Sequence, residues 1–303
     1  MRVVLLSGGV GGARLARGLA AVAGIDLTVV VNIGDDERVY GLDVSPDLDT
    51  VIYTMAGREG PHGWGLAGDT FTLMDALDGL PLDTSFRIGD RDAATNLFRT
   101  DRLAAGWSLT WVTTALASTY GVAADVLPAS DDPVRTKVLI PDGEWLGFQD
   151  YFVARSYQDE VVDVRFEGAA FSRPAPGVLE AIHRAEVVII GPSNPILSIW
   201  PILAVPGIAD AVTAHQRVMG VSPLIGGTAI KGPAHRVLTS MGLPAGNAGV
   251  AAAYGGMLTD LFIDEADAGD TRRGEPPRWH VTNTRIPDVD SAARLGEEIL
   301  AKL

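Results

Sequence analysis

The sequence predicts an α/β protein of the Rossmann-like kind: a mostly parallel sheet with helices on both faces, plus a smaller β-rich insertion. Three observations predict it. Two continuous apolar runs, Arg2–Leu6 and Leu27–Val31, enclose a glycine turn and a helical stretch, which is the order of a βαβ unit. A further buried run, Val187–Ile190, follows the helical stretch Ala175–Ala185 far downstream. Between them, 124–172 breaks into short β-like runs separated by Pro, Asp and Gly. The Rossmann-like core is therefore assigned to 1–123 and 173–303, and the insertion or small lobe to 124–172.

The elements follow in order. Arg2–Leu6 is a strand buried on both faces, stopped by Gly8-Gly9. Ser7–Gly12 is the glycine turn, and Ala13–Ala23 carries Leu15, Leu19 and Val22 at helical spacing. Leu27–Val31 is the second strand, ending at Asn32-Ile33-Gly34-Asp35-Asp36. Asp69–Leu77, Asp92–Ala105 and Ser108–Thr119 are helix candidates, with Asp92 and Ser108 as N-caps. Thr136–Ile140, Glu144–Phe148 and Val161–Phe166 are the strands of the insertion. After Val187–Ile190, Gly191-Pro192-Ser193-Asn194-Pro195 opens the next helix, Val218–Val221 and Thr259–Ile263 add strands, and Asp290–Leu303 is a terminal helix. Glu265–Arg278 reads as a mobile loop.

Composition excludes several classes. The chain has 303 residues and no cysteine, which removes disulfides, thiolate zinc sites and cysteine nucleophiles. Five histidines stand scattered with no pair at ligand spacing, against zinc. No apolar run reaches the ~18 residues a membrane span needs, so a cytoplasmic protein is expected. With 38 acidic and 24 basic residues the net charge is −14, which disfavours nucleic acid and anionic lipid as partners.

Two constellations carry chemistry. In Ser7-Gly8-Gly9-Val10-Gly11-Gly12, Gly8, Gly9, Gly11 and Gly12 permit close backbone approach at a helix N-terminus, which suits a phosphate or nucleotide; a purely structural tight turn is the alternative. Ala13-Arg14 stands where a P-loop needs Lys and Ser/Thr, so this is not a P-loop. Arg14 on the first helical turn is placed to pair with a phosphate. The second constellation is Asp35, Asp36, Glu37, Asp43, Asp47 and Asp49, within fifteen positions after the second strand. Asp35 and Asp36 share the sheet edge with the glycine turn, and Mg²⁺ would relieve the repulsion among carboxylates and phosphate; a solvated acidic loop is the alternative. With no evident nucleophile, in-line displacement at phosphorus is the expected chemistry.

A resemblance joins these pieces. Ser7–Arg14, Val30–Asp36, Ser45–Thr50, Gly63–Gly65 with Asp69–Phe71, and Gly89–Asp92 with Ala94-Thr95 occur in order. Leu127–Asp132, Phe148–Asp150, Gly191–Pro195 and Ser222–Gly227 complete the series. Together they resemble the 2-phospho-L-lactate transferases of coenzyme F420 biosynthesis over nearly the whole chain. The resemblance implies transfer of a phospho-three-carbon-acid group, phospholactyl or phosphoenolpyruvyl, from a GDP-linked donor to the ribityl hydroxyl of the deazaflavin Fo. GMP leaves, and F420-0 or dehydro-F420-0 forms. It further implies Asp35 and Asp49 as Mg²⁺ ligands and catalytic residues, with Asp49 also touching the Fo hydroxyl. Arg87 matches an Fo-contacting position, and Asn32, Ser193 and Asn194 match nucleotide-side positions. Trp64, between two glycines, would either stack on the deazaflavin or be an ordinary partly buried tryptophan. Arg91 would clamp a phosphate or pair internally with Asp90 or Asp92. A homodimer is implied.

Two other readings stay open. One is a nucleotide-sugar-binding regulator of the gluconeogenesis-factor-like group, which shares the opening glycine turn and has no transferase activity. The other is an NAD-type oxidoreductase, disfavoured because Arg14 occupies the third glycine position of the dinucleotide fingerprint and no acid closes the second strand.

Overall fold

The computed structural model describes residues 1–272, 274 and 276–303. Its centre is a seven-stranded sheet of β1 (Arg2–Ser7), β2 (Asp26–Val31), β3 (Asp125–Pro128), β4 (Val187–Ile190), β5 (Val218–Val221), β6 (Asp260–Asp264) and β7 (Arg278–Thr282). The spatial order is β7-β6-β5-β4-β1-β2-β3, and every pairing is parallel. Val3 to Leu6 and Val187 to Ile190 are buried, as the unbroken apolar runs require of strands covered on both faces.

The helices that matter here are α1 (Gly9–Ala21), α2 (Pro46–Met55), α3 (Thr72–Leu77), α4 (Asp90–Ala104) and α5 (Leu109–Tyr120). Helix α1 crosses the terminal helix Val289–Leu300 at Gly18, where a Cβ would fall 2.3 Å from the Ala292 carbonyl carbon. Ser108 caps α5 as expected, accepting from Trp111 N–H at 3.2 Å. Asp92 does not cap α4. Gly89 holds the N-cap position, and the Asp69 carboxylate accepts from the N–H groups of Arg91 and Asp92 at 2.8 and 3.1 Å.

The region 124–172 divides differently from the expectation. Asp125–Pro128 is not part of an insertion; it is the edge strand β3, paired with β2. The insertion is a three-stranded antiparallel sheet of Arg135–Leu139, Trp145–Gly147 and Asp163–Glu167. The loop expected over 265–278 is also partly ordered. Glu265–Asp270 forms 3-10 turns and Arg278 opens β7, while 273 and 275 lie outside the described residues.

The strand order places a switch point between β1 and β4. From β1 the chain winds outward through β2 to β3, then crosses back to β4 and winds the other way. The connections leaving the carboxyl ends of β1 and β4 therefore run in opposite directions along the sheet, and such a point is the usual ligand position in open parallel sheets.

Candidate active site at the switch point

The glycine segment is tighter than a loop. Ser7 ends β1, Gly8 is extended, and α1 starts at Gly9, so Val10 to Gly12 belong to the first helical turn. Neighbours account for the missing side chains. A Cβ on Gly11 would lie 2.3 Å from the Pro192 carbonyl oxygen, and one on Gly12 would lie 2.3 Å from Ser7 Oγ and 2.7 Å from Ser193 Oγ. A Cβ on Gly8 would meet Asp47 Oδ2 at 2.7 Å, whereas Gly9 has open space and a φ of +63°. The loop after β4 is thus pressed onto the start of α1. Ser193 Oγ accepts from Gly8 N–H at 3.1 Å and donates to Gly8 O at 2.7 Å, closing the floor of the site. Asn194 turns its side-chain oxygen to the N–H groups of Ile196 and Leu197 at 3.0 and 3.1 Å, capping the next helical segment.

Carboxylates crowd the other wall. Asn32, at the end of β2, donates its amide to Asp35 Oδ1 at 3.0 Å and to Asp47 Oδ2 at 2.9 Å, and its oxygen accepts from Gly34 N–H at 2.8 Å. Asp47, on the first turn of α2, also accepts from Gly9 N–H at 2.8 Å. Ser45 Oγ donates to Asp36 Oδ2 at 2.9 Å, and Asp36 Oδ1 is buried without a partner. Asp49, two residues on from Asp47 and so on nearly the opposite side of α2, pairs with the buried Arg99 of α4, which Asn96 Oδ1 steadies at 2.6 Å.

Burial dominates the electrostatics. It pushes Asp36 up to about 7, against the pull of Arg135 and Arg99, and Asp47 up to about 6, against the hydrogen bonds from Asn32 and Gly9. Asp35 is raised well above the usual carboxylate range by burial and then by the charge of Asp47. Asp49 is raised by burial, with Arg99 opposing. Asp92, which accepts from Tyr53 OH at 2.9 Å, rises to about 7 through burial and the charge of Asp49. The site is thus a desolvated cluster of acids with too little positive charge of its own.

The sequence model of the 2-phospho-L-lactate transferase CofD family matches residues 3–296. The chain belongs to that family. The phosphoenolpyruvate transferase of Streptomyces griseus is 41% identical over 310 residues, covering 99% of this chain and 98% of that protein. The 2-phospho-L-lactate transferase of Methanosarcina mazei is 37% identical over 302 residues, covering 98% and 99%. Among solved structures, a UPF0052-family protein of Bacillus halodurans superposes with a TM-score of 0.66 at 17% identity, covering 99% and 100%, which bears on the fold alone. This CofD-family chain is accordingly a transferase. No helix among its described residues is long and apolar enough to cross a membrane.

For a CofD-family site, the donor chemistry fits Mg²⁺. Asp35, Asp36, Asp47 and Asp49 offer hard oxygens, and Asp36 Oδ1 is a buried acceptor with nothing to accept from. Among the described residues, no three acidic or histidine side chains converge on one point to enclose an ion. A Mg²⁺ ion held here would have to complete its shell with water and substrate phosphates beside one or two carboxylates.

The remaining predicted residues lie outside the carboxylate wall. Arg87 sits on the surface, bridging Asp75 at 2.7 Å and Asp78 at 3.0 Å. Arg91 pairs with neither Asp90 nor Asp92. Its guanidinium reaches the Ala67 carbonyl at 3.4 Å, while Asp90 accepts from Thr72 and Leu73 N–H at 3.0 and 2.9 Å. Trp64 is 56% exposed, with the Lys231 ammonium 5.0 Å from its ring centroid. Arg14 reaches the Ile286 carbonyl at 3.5 Å. Arg99, Asn96 and Lys231 were not singled out from sequence, and Asp92 was read there only as an N-cap or a partner of Arg91. Arg99 and Asn96 look like ordinary helix surface in α4, and Lys231 carries no motif. Asp47 did leave a trace, since Ser45-Pro46-Asp47 has the form of a helix start with an acid in its first turn.

Proposed function

We propose that this transferase moves a phosphoenolpyruvyl group from a guanosine-diphosphate-linked donor to the terminal ribityl hydroxyl of Fo, in the making of coenzyme F420. The hydroxyl oxygen attacks the phosphorus bearing the three-carbon acid, the bond from that phosphorus to the GMP oxygen breaks, and a phosphodiester remains. The observation that carries the reading is the meeting of the first turn of α1 with Asp47, which Asn32 ties to Asp35, in a segment whose acids Asp36 and Asp49 are also buried. Among relatives, those named phosphoenolpyruvate transferase reach 41–42% identity over nearly the full chain, against 37% for the similarly covered 2-phospho-L-lactate transferases, which favours the enolpyruvyl donor.

In this reading Asp35 and Asp49 hold Mg²⁺, which when bound neutralises phosphate charge as the displacement proceeds. The protein's own groups do the positioning. Asn32 fixes the spacing of Asp35 and Asp47 with one amide. Arg99 takes Asp49 Oδ1, and no hydrogen bond among the described residues engages Oδ2, which is left to orient the Fo hydroxyl and receive its proton. Arg87 and Trp64 lie toward Fo. Gly8 to Gly12, Arg14, Asn32, Ser193 and Asn194 frame the nucleotide side, and the active form is a cytoplasmic homodimer.

The test is an incubation of purified protein with Fo, Mg²⁺ and enolpyruvyl-diphosphoguanosine, read by mass spectrometry for GMP and an Fo phosphodiester. Product that vanishes with EDTA and in Asp49→Asn is expected. Absence of product with the enolpyruvyl, lactyl and glyceryl donors alike, together with no Fo binding, refutes the proposal.

A further inference from the structure

The start of α1 is where a phosphate would ordinarily settle, yet two of its donors are already engaged. Gly8 N–H goes to Ser193 Oγ and Gly9 N–H to Asp47 Oδ1. The second partner is a carboxylate, so negative charge already sits at this helix end. In a chain of net charge −14, a phosphate arriving there needs cations from another quarter.

Two cations stand at the mouth. Arg14 lies one helical turn after Val10 on the same face of α1. The turn around Gly63 rests on Val10, since a Cβ on Gly63 would fall 2.7 Å from Val10 Cγ1. The same Cβ would fall 3.3 Å from Lys231 Nζ, which donates to the His62 carbonyl and lies beside the Trp64 ring. The Lys231 ammonium is thereby held over the first turns of α1. Neither Arg14 nor Lys231 forms an ion pair with a carboxylate among the described residues. Loss of water and then the charge of Arg14 lower the Lys231 pKa, so each cation stands in the other's field. Holding like charges together costs free energy unless an anion comes between them.

We infer that Arg14 and Lys231 form a two-cation subsite that grips the diphosphate of the nucleotide donor above the first turn of α1. The identity of the donor rests on the proposed function; the affinity for a diphosphate does not. Lys231 holds a backbone carbonyl and an aromatic face, both near the surface, so it can exchange them for phosphate oxygens without stranding a buried partner. Its segment has the hinges for that exchange, with Gly227 and Gly232 at φ of +75° and +71°.

Calorimetric titration of the full chain with GDP, inorganic pyrophosphate and guanosine tests the subsite. Lys231→Gln and Arg14→Gln are each expected to weaken GDP and pyrophosphate by about tenfold, the size of one charge-assisted contact. Guanosine affinity should be unchanged, and Lys231→Arg should recover most of the loss. Thermal unfolding of each variant guards against a merely loosened 60–66 turn, which would lower the midpoint and weaken all three ligands together. Unchanged pyrophosphate affinity in both Gln variants, or no pyrophosphate binding by the parent protein, overturns the inference even if transfer to Fo proceeds. Loss of pyrophosphate binding in the variants of a parent that never modifies Fo keeps the subsite and removes the proposed function.

Discussion

Arg99 and Asp49 form an ion pair with 1% and 7% of their side chains exposed. Breaking such a pair from one side leaves an uncompensated buried charge, at a cost of about 3–5 kcal/mol. Arg99→Met should therefore destabilise the protein strongly in urea unfolding, while adding Asp49→Asn should recover part of that loss. Additive losses in the double variant would show that the two side chains act independently.

The buried acids give stability a direction with pH. Asp36, Asp47 and Asp92 stand at about 7, 6 and 7, raised from 3.8. The folded chain therefore keeps protons that the unfolded chain releases above its own carboxylate range. Their stabilising contribution is complete below the unfolded value and drains away as pH rises through the folded values. Metal-free protein should lose a few degrees of Tm between about pH 5 and about pH 8. Under the proposed Mg²⁺ assignment, the cation should raise Tm more at the higher pH, where the acids are charged. Thermal scans with EDTA or Mg²⁺ at both pH values check each half of this.

Gly9 and Gly11 should respond differently to a methyl group. Gly9→Ala meets no atom within 4 Å and is limited to the strain of a φ of +63°, on the order of 1 kcal/mol. Gly11→Ala drives a Cβ into the Pro192 carbonyl and must part the loop after β4 from α1. A much lower unfolding midpoint for Gly11→Ala than for Gly9→Ala is expected in a thermal melt.

Arg87 offers a surface test. Its bridges to Asp75 and Asp78 are solvated, so Arg87→Ala should leave the unfolding midpoint unchanged. If it faces Fo as proposed, the KM for Fo rises about tenfold while kcat changes little. Steady-state kinetics in Fo concentration separates the two parameters.

What sequence made legible was local. β1, the start of α1, β2 and β4 stand out because a strand buried on both faces is apolar without interruption. β7 was missed because an edge strand needs no such run. Arg278 and His280 instead reach back to Asp260 at 2.9 and 2.7 Å. β3 was assigned to the insertion because its four residues run straight into it in sequence, and only pairing with β2 reveals its sheet. In the site, the clustering of Asp35, Asp36, Asp47 and Asp49 was visible as spacing. That Asn32 bridges Asp35 and Asp47, and that Arg99 faces Asp49 from fifty positions away, are facts of tertiary packing with no periodic trace.

The two hydrogen bonds between Gly8 and Ser193 join residues 185 positions apart. A ribosome that has released β1, α1 and the acids of α2 has produced half a site with nothing to close it. The acids then face water and carry their charge at little cost, so the early chain gains nothing from holding them together. Only when the loop after β4 emerges can the floor form and the acids be sealed in. Closure of this site is thus a late event in synthesis, set by topology. Chains truncated before β4 would lack Ser193 and leave the start of α1 without its partner loop.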